Sequence, residues 1–397
     1  MRILFVTLSD IGVCSSSNIR NVSLIKGLVD TGNTVDIISY KTSNAANLKD
    51  ESFASKLEGC KVTYLTANVA TEKISANLNS SKGQKIDIKK KIYNVLRDIY
   101  YRLEPVDSLR KIAQTVDIEG LDISDYDCMI SSSNPYSVHI LAKRIKDKYF
   151  PQGIKWVQYW GDTLYLDTLT RTPLFPSSVK KAEAELIKDA NAVIYTNGVC
   201  LKMQKKLFPK DADKMHFIET PFAFFDDNEE KIEYSVGYFG SYSKMVRDIE
   251  PLYNVLSTAE YKSIIIGNGD IEIASSENLT VLPRVPVDEV NKYEGKTDIL
   301  VCLCNKLSKK GKESGTIPGK AYHYGATTKR VLMIDATPEV KKFLKSYDRY
   351  IFAENNEESI RKTLGELIVA DRENITPLKE VMPQNAAAKV VSIISAN

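Results

Sequence analysis

The sequence predicts an α/β protein made of two Rossmann-like, doubly wound domains that face a cleft. Three observations support this fold class. The chain has 397 residues, 43% of them hydrophobic, which is more than one ordinary core holds. Short apolar runs alternate with helix-like segments from the first residue, as parallel sheets with crossover helices require. A segment rich in aromatic and acidic residues at 219–233 interrupts this alternation, and a second alternating series follows it.

The first series begins with a strand, a helix and a second strand. "RILFVTL" is a continuous apolar run, typical of a strand buried on both faces. The helix pattern "IRNVSLIKGLVDTGN" has Ser17 or Asn18 as its cap and Gly32 after its end. Further strands are expected at "TVDIISY", "KVTYL", "YDCMISSS", "IKWVQYW", "AVIYTN" and "MHFIE", and helices at "SVHILAKRIK" and "SVKKAEAELIKDA".

The second series repeats this alternation without repeating the sequence. Its expected strands are "SVGYFGSY", "KSIIIGNG", "LTVLPR", "DILVCL", "RVLMID" and "RYIFAE". "QNAAAKVVSIISA" predicts a final helix. We therefore expect an N-terminal Rossmann-like domain at 1–220, a linker at 221–233 and a second Rossmann-like domain at 234–375. The helix at 376–397 is expected to pack back on the first domain.

Composition excludes several classes of protein. The net charge of +3 is small, which argues against a nucleic-acid partner. Six scattered cysteines have neither zinc-ligand spacing nor a disulfide pattern, so we expect free thiols and neither a metal nor a cofactor. "MRILFVTLSD" does not have the pattern of a signal peptide, and no apolar stretch approaches the ~20 residues of a membrane span. These features predict a cytoplasmic protein.

In doubly wound sheets, ligands bind beyond the carboxyl ends of the strands, so the loops there are the first candidates. The stretch "FGSYSKMVRDIEPL" follows the first strand of the second series. Gly240 and Ser241 expose backbone amides, and Lys244 and Arg247 lie at the entry to a helix, which together suit an anion. A solvated basic turn is the alternative.

The next two loops are weaker candidates for the same ligand. "GNGD" begins with Gly267, and "LPRVPVDEV" places Arg284 and Val285 before a helix that proline can start. A flat base could lie against this backbone. Ordinary turns are the alternative in both places.

The stretch "SGTIPGKAYHYG" concentrates glycine, hydroxyl and basic groups before a buried strand. The two glycines permit close backbone approach, Lys320 opens a helix, and His323 follows three residues later on the same face. A diphosphate at the helix start and a sugar hydroxyl near His323 would use these groups. The alternative is a packed histidine and a solvated lysine. The expected donor contacts here are Gly315, Thr316, Ile317, Gly319 and His323.

Strand ends in the first series suggest the acceptor side. "VQYWGDTLYLD" ends a strand with Trp160, Gly161 and Asp162, and aromatic rings beside carboxylates are common in sugar sites. A core tryptophan with a turn aspartate is the equal alternative. Asn134 follows another strand, and Cys14 and Ser15 follow the first. His139, in the helix after Asn134, is expected to pack in the core.

From these motifs, the sequence resembles the GT-B nucleotide-sugar glycosyltransferases, in particular the retaining family 4 type of bacterial surface-polysaccharide assembly. The resemblance covers nearly the whole chain and is strongest from Tyr234 to Asp335. It puts Arg247 at the family's diphosphate-binding cation. The family motif of two glutamates seven residues apart aligns with Gly315 and His323, so this chain departs from it. A neutral histidine can accept only one ribose hydrogen bond, and binding would weaken as pH falls through its ordinary pKa near ~6.5.

The resemblance implies an activity and its participants. The donor would be a nucleoside diphosphate sugar, uridine-linked, and the acceptor a glycan or a lipid-linked sugar. Transfer would be retaining and metal-independent, with Asp162, Arg247 and Lys320 as the catalytic residues. Two alternatives stay open: a GT-B nucleotide-sugar epimerase, which needs no acceptor, and a non-catalytic partner of another glycosyltransferase.

A basic amphipathic segment suggests peripheral contact with the inner leaflet of a membrane. "KIDIKKKIYNVLRDIYYRL" at 85–103 has six basic and two acidic residues, 6 − 2 = +4. Such helices can lie on anionic bilayers. Packing of the apolar stripe on the first domain is the alternative. The stripe consists of Ile88, Ile92, Val95, Ile99 and Leu103.

Overall fold

The structure is a computed structural model, and it describes residues 1–41, 49–66, 95, 98–123, 125–167, 173–224, 231–306, 315–370 and 375–396. The chain divides into two compact units. One is Met1–Ile218 together with Ala387–Asn397, and the other is Glu219–Ala386. Each unit is a parallel sheet with helices, which confirms the predicted fold class.

The first unit has a seven-stranded sheet in the order β3-β2-β1-β4-β5-β6-β7, with every neighbouring pair parallel. The strand order reverses between β1 and β4, and this switch point is where doubly wound sheets bind ligands. The strands are β1 Arg2–Val6, β2 Thr34–Tyr40, β3 Lys61–Leu65, β4 Cys128–Ser132, β5 Lys155–Trp160, β6 Ala192–Tyr195 and β7 Met215–Phe217.

The helices of this unit follow the strands as predicted. Residues 98–103 are also helical, and a 3-10 helix spans Pro209–Lys214. One local prediction was wrong: Ser15, not Ser17 or Asn18, caps the first helix, since its Oγ accepts from the Asn18 amide at 3.2 Å. The α-helices are α1 Ser16–Asp30, α2 Ser52–Lys56, α3 Arg110–Thr115, α4 Val138–Tyr149, α5 Pro176–Lys188 and α6 Gly198–Leu207.

The second unit has a six-stranded parallel sheet in the order β10-β9-β8-β11-β12-β13, with its switch point between β8 and β11. The strands are β8 Tyr234–Phe239, β9 Ser263–Ile266, β10 Leu279–Leu282, β11 Thr297–Leu303, β12 Arg330–Ile334 and β13 Tyr350–Ala353. Its helices are α7 Glu250–Ser257, α8 Val287–Gly295, α9 Gly319–Gly325, α10 Pro338–Leu344 and α11 Glu357–Val369. The final helix, α12 Pro383–Ala396, begins in this unit, and its residues from Ala387 onward belong to the first unit.

Two segments connect these units along the chain. Residues 219–224 belong to the second unit, where the Phe222 amide donates to Val381 O at 3.0 Å. The end of α12 belongs to the first unit, and Lys155 Nζ donates to Ile394 O there at 3.0 Å. Within the described ranges, no helix combines the length and the apolar character needed to cross a membrane.

Candidate functional site

The loop after β8 is folded on itself so that Arg247 is held firmly. The amides of Ser243 and Arg247 each donate to the other's carbonyl, at 3.0 and 2.9 Å. Arg247 Nε donates to Asn305 Oδ1 at 2.7 Å, which ties this loop to the one after β11. Lys244 instead pairs with Glu250 at 2.8 Å and has a 67% exposed side chain. Of the two predicted cations, Arg247 is therefore the one with a fixed position.

Glycines allow the loops after β8 and β9 to touch. A Cβ at Gly267 would lie 1.9 Å from Gly240 O, so any side chain there would collide with backbone. Close packing of the two loops therefore requires glycine here, in addition to the predicted access for a phosphate. Ser241 is exposed, its carbonyl accepting from the Tyr238 hydroxyl at 2.8 Å. On the loop after β10, Arg284 is exposed and Val285 half-buried.

The start of α9 takes part in an ion pair that the sequence did not indicate. Gly315 has a φ of 64°, a left-handed conformation that favours glycine. Lys320 Nζ pairs with Glu294 of α8 and lies 5.4 Å from the centre of the Tyr324 ring. Glu294 has a 5% exposed side chain and Lys320 a 31% exposed one. Lys320 is therefore neither fully solvated nor free of a protein partner.

Next to Lys320 in the chain, a Cβ at Gly319 would have room among the described residues. Leaving aside chain neighbours and the backbone of α9, the nearest described atom is His323 Nε2, at 3.9 Å. His323 is 4% exposed and stacks on Phe222, with ring centres 4.2 Å apart. Burial, and secondarily the charge of Lys320, holds the pKa of His323 well below its ordinary value. The imidazole is therefore neutral. This corrects the expectation that ligand binding weakens as pH falls through the ordinary pKa of histidine.

Arg247 and Lys320 come from different loops but influence the same thiol. Burial raises the pKa of Cys302, on β11, to about 12, while first Arg247 and then Lys320 act in the opposite direction. Arg247 is held at the carboxyl end of β11 by its bond to Asn305, and Lys320 is the second residue of α9, which precedes β12 in the chain. Thr316 is half-buried and Ile317 is buried. Both lie in the segment that precedes α9.

In the first unit, the aromatic side chain proposed to contact an acceptor is part of the core. Trp160 is 0% exposed, stacks on His139 at 4.6 Å and donates to Gln158 Oε1 at 3.0 Å. This corrects the interpretation of the ring as an acceptor contact, because no face of it is accessible. Asp162 is half-buried and accepts from Asn134 Nδ2 at 3.3 Å.

A buried arginine, Arg20, lies against the loop that contains Asn134 and the loop that contains Asp162. The Arg20 guanidinium of α1 donates to Ser133 O and lies 5.4 Å from the Tyr159 ring centre. A Cβ at Gly161 would be 1.9 Å from Arg20 Nη1, so the glycine is needed for this contact. Burial lowers the pKa of Arg20, while Tyr159 and then Asp162 oppose that shift. Arg20 thus supplies positive charge at the switch point of the first sheet.

A buried glutamate anchors the loop that continues from Asp162. Glu183 of α5 accepts from the amides of Leu164 and Tyr165 at 3.2 and 2.8 Å, and from Gln204 Nε2 at 3.1 Å. Burial raises its pKa to about 7. Among the other predicted residues, Cys14 is half-buried and the Ser15 hydroxyl is used as the cap of α1.

The sequence matches no protein-family model and no curated protein. Solved structures do resemble the protein over its whole length. The catalytic domain of starch synthase IV from Arabidopsis thaliana, bound to ADP and acarbose, has a TM-score of 0.61 at 9% identity, covering 100% of this chain and 99% of its own. HepE of Anabaena, in complex with UDP and glucose, has 0.58 at 13% identity, covering 100% and 98%. TarM has 0.55 at 11% identity, covering 100% and 96%.

The chain has the GT-B fold. The sequence analysis did not identify three residues at the switch points of this fold: Arg20, Glu294 and Asn305. An arginine one turn into a helix, a glutamate near a helix end and an asparagine after a strand look like ordinary surface residues in a sequence. Only their contacts, all with residues distant in the chain, distinguish them.

Proposed function

We propose that this protein is a glycosyltransferase that moves a sugar from a nucleoside diphosphate sugar to a glycan or a lipid-linked acceptor. The observation that supports this best is that the Asn305 side chain holds Arg247 just beyond the carboxyl end of β11, next to the switch point of the second sheet. The GT-B fold of its structural neighbours agrees with this proposal, and the neighbours include complexes with UDP and with ADP.

The second unit would bind the donor. Its diphosphate would enter the space that Gly319 leaves open and meet the two cations. The base, uracil by the resemblance, would lie against the backbone at Arg284 and Val285. His323, being neutral, has a ring nitrogen available to accept from one ribose hydroxyl.

The proposed chemistry places charge where the reaction develops it. As the bond between the donor's sugar and its diphosphate breaks, negative charge grows on the departing diphosphate. Fixed cations that meet that growing charge lower the barrier more than they strengthen ground-state binding. Arg247, held by Asn305, suits this role because it does not have to be reoriented during the reaction. In this proposal these side chains, rather than a metal ion, neutralise the leaving group, and transfer retains configuration.

The first unit would bind the acceptor at its own switch point. Asp162 would orient an acceptor hydroxyl, with Gly161 and Asn134 beside it and Cys14 and Ser15 on the neighbouring loop. The hydrogen bond that Asn134 Nδ2 donates to Asp162 limits the rotamers available to this carboxylate.

One observation favours a second candidate function, a non-catalytic partner of another glycosyltransferase. Lys320 already has a carboxylate partner in Glu294, and His323 occupies the aligned position of a family carboxylate. A protein that had lost catalysis could keep this fold and this ion pair.

A ligand screen followed by a product assay separates these functions. Unfolding temperature is measured with uridine, guanosine, adenosine and cytidine diphosphate sugars, since a ligand that binds only the folded state raises it. A stabilising sugar nucleotide is then incubated with and without glycan acceptors. Release of the nucleoside diphosphate that depends on acceptor supports a transferase, and conversion of the sugar without acceptor supports an epimerase. Stabilisation by none of the four classes leaves the non-catalytic partner.

We also propose peripheral contact with an anionic membrane. Val95, Ile99 and Leu103 of the predicted stripe are 56%, 42% and 47% exposed, which disfavours its packing on the first unit. Leu174 and Phe175, 45% and 60% exposed, extend this apolar surface, and the Leu174 amide donates to Arg102 O at 2.9 Å. Residues 85–94, 96 and 97 of the basic segment lie outside the described residues.

Sedimentation with liposomes tests this contact. The wild type should sediment with vesicles containing phosphatidylglycerol and much less with neutral phosphatidylcholine vesicles, because basic residues accompany the apolar ones. The variant Leu174→Ser/Phe175→Ser should bind less to the anionic vesicles. Equal sedimentation of the wild type with both vesicle types would contradict the proposal.

A further inference from the structure

The segment that contains Asp162 is held by a side chain from beneath it. Residues 161–167 follow β5, and we call them the acceptor loop. Glu183 of α5 accepts from the loop amides of Leu164 and Tyr165, at 3.2 and 2.8 Å. Both bonds are to the loop backbone, two and three residues after Asp162. The position of Asp162 therefore depends on the state of the Glu183 carboxyl group.

The Glu183 carboxyl group is buried without a compensating positive charge. The residue is 0% exposed, and among the described residues it forms no ion pair. Its remaining hydrogen bond comes from a neutral donor, Gln204 Nε2 of α6, at 3.1 Å. Burial of an ionised carboxylate without a cation is costly, and burial raises the pKa of Glu183 to about 7 although all three hydrogen bonds oppose that shift. The closed loop therefore favours the neutral carboxyl group.

The neighbouring amide has an oxygen that can accept the hydrogen of this neutral group. Gln204 Oε1 is buried, and it has no hydrogen-bond partner in the described part of the chain. A half-turn of the amide exchanges its oxygen and its nitrogen, so that Oε1 faces Glu183. Protonated Glu183 then donates to Gln204, and its second oxygen keeps the bond from the Tyr165 amide. Either protonation state finds partners here, and burial decides between them.

The other titratable groups that act on this region do not compete with Glu183 near neutral pH. Burial raises the pKa of each tyrosine and thiol that interacts with the Glu183 charge, so these groups stay neutral between pH 6 and 8. They are Tyr136, Tyr195 of β6 and Cys200 of α6. On the loop itself, Asp162 and Asp167 act on Tyr136 and have the same sign of charge that Glu183 would gain. None of these groups stabilises an ionised Glu183.

We propose that Glu183 is a positioning residue: its neutral carboxyl group keeps the acceptor loop closed, and the loop opens as Glu183 ionises. Opening lets water reach the carboxylate and moves Asp162 from the place where it would orient an acceptor hydroxyl. The inference rests on the proposed function for the role of Asp162, and it makes acceptor binding dependent on protons near neutral pH.

The direction and size of the effect follow from linkage between proton binding and loop opening. Glu183 holds its proton more tightly in the closed loop, with a pKa of about 7, than in an open one, where the ordinary value of 4.5 applies. Rising pH therefore favours the open loop. Between pH 6 and 8 the ratio of open to closed loop should rise about tenfold.

Amide hydrogen exchange of the full chain tests this opening. Each rate is divided by that of an unstructured peptide at the same pH, which gives a protection factor. In the wild type the protection of Leu164 and Tyr165 should fall about tenfold from pH 6 to 8. Both amides should also exchange faster than those of β4, because the loop opens without loss of the sheet. Protection that is constant with pH, or loop amides as slow as those of β4, overturns the proposal.

Variants assign the pH dependence to one side chain. Glu183→Gln is neutral at every pH, so its loop protection should change less than twofold. Glu185→Gln, at an exposed position of the same helix, is the matched control and should keep the tenfold change. Tyr136→Phe removes the bond to Thr163 O at 3.1 Å, so exchange should be faster at both pH values with the tenfold ratio unchanged. A tenfold change that persists in Glu183→Gln contradicts the assignment, and loss of that change in Tyr136→Phe does so if Glu183→Gln does not fold.

The exchange measurement is independent of the transfer assay. A pH-dependent loop in a protein that releases no nucleoside diphosphate with any acceptor contradicts the transferase and supports the loop inference. Acceptor-dependent release together with a loop whose protection is constant with pH contradicts the loop inference alone.

Discussion

Replacing Lys320 with methionine separates its two roles, in stability and in catalysis. The side chain keeps its length but loses its charge, and Glu294 remains 5% exposed without its ion-pair partner. Breaking a buried pair from one side typically costs 3–5 kcal/mol. Because the Lys320 side chain is 31% exposed, the lower end applies, and the free energy of unfolding should fall by roughly 3 kcal/mol. Turnover should fall by about 10²–10³, by analogy with loss of an oxyanion donor.

A double variant removes the stability effect and leaves the catalytic one. In Lys320→Met/Glu294→Gln neither charge remains, so the free energy of unfolding should return to within about 1 kcal/mol of wild type. Turnover should stay as low as in the single variant, while affinity for the nucleoside diphosphate changes less than turnover. Urea unfolding at pH 7.5 measures the first quantity and steady-state transfer the second.

An exposed pair provides the control. Lys244→Met breaks the contact with Glu250, in which the two side chains are 67% and 48% exposed, so the free energy of unfolding should stay close to that of wild type. If Lys320→Met is no less stable than Lys244→Met, the argument from burial is refuted. If the double variant regains wild-type turnover, Lys320 acts only by keeping the fold and is not catalytic.

Three further predictions concern stability, loop packing and pH. The pKa of Glu183 rises from 4.5 to about 7 on folding, so its contribution to stability is present in full below 4.5 and is lost as pH rises through 7. Glu183→Gln should therefore gain about 3 kcal/mol relative to wild type between pH 4.5 and 8, and urea unfolding showing a constant difference would refute this. Gly267→Ala should lower the free energy of unfolding by about 1–3 kcal/mol, because its Cβ would collide with Gly240. Gly365→Ala is the control and should not destabilise, since no described atom lies within 4 Å of a Cβ there. Equal unfolding temperatures of the two variants would contradict the packing argument. Because burial lowers the pKa of His323 well below its ordinary value, calorimetric affinity for UDP should be flat from pH 5.5 to 8 apart from titration of the phosphate itself, and Arg284→Ala should show the same profile.

Much of the fold could be predicted because its signals are local. A strand of a parallel sheet is buried on both faces, so it appears in the sequence as a continuous apolar run. "RILFVTL" contains β1 for this reason, and "DILVCL" covers β11 except for its first residue, Thr297. Given parallel strands, the loops at their carboxyl ends necessarily share one edge. That is why the stretches around Arg247 and Lys320 could be singled out without knowing their contacts.

The partners of those side chains could not be predicted, because they depend on distant residues. Lys320 and Glu294 are 26 residues apart, and Arg20 and Ser133 are 113 apart. The direction of Trp160 was equally open, because a ring at a strand end can face the core or the solvent. Stacking on His139 decides in favour of the core. Sequence patterns fix which groups reach an edge of the sheet, while tertiary packing decides which of them remain available to a ligand.

Calorimetric titration of UDP into the wild type and Gly319→Val tests the central claim most directly. Leaving aside chain neighbours and the backbone of α9, the nearest described atom to a Cβ at Gly319 is 3.9 Å away, so the fold should tolerate the side chain, and an unchanged unfolding temperature verifies that. The space that it fills is the space proposed for the diphosphate. The account predicts binding at one site in the wild type and affinity at least tenfold weaker in Gly319→Val. Wild-type affinity in Gly319→Val, with the fold intact, would place the diphosphate elsewhere and contradict the account.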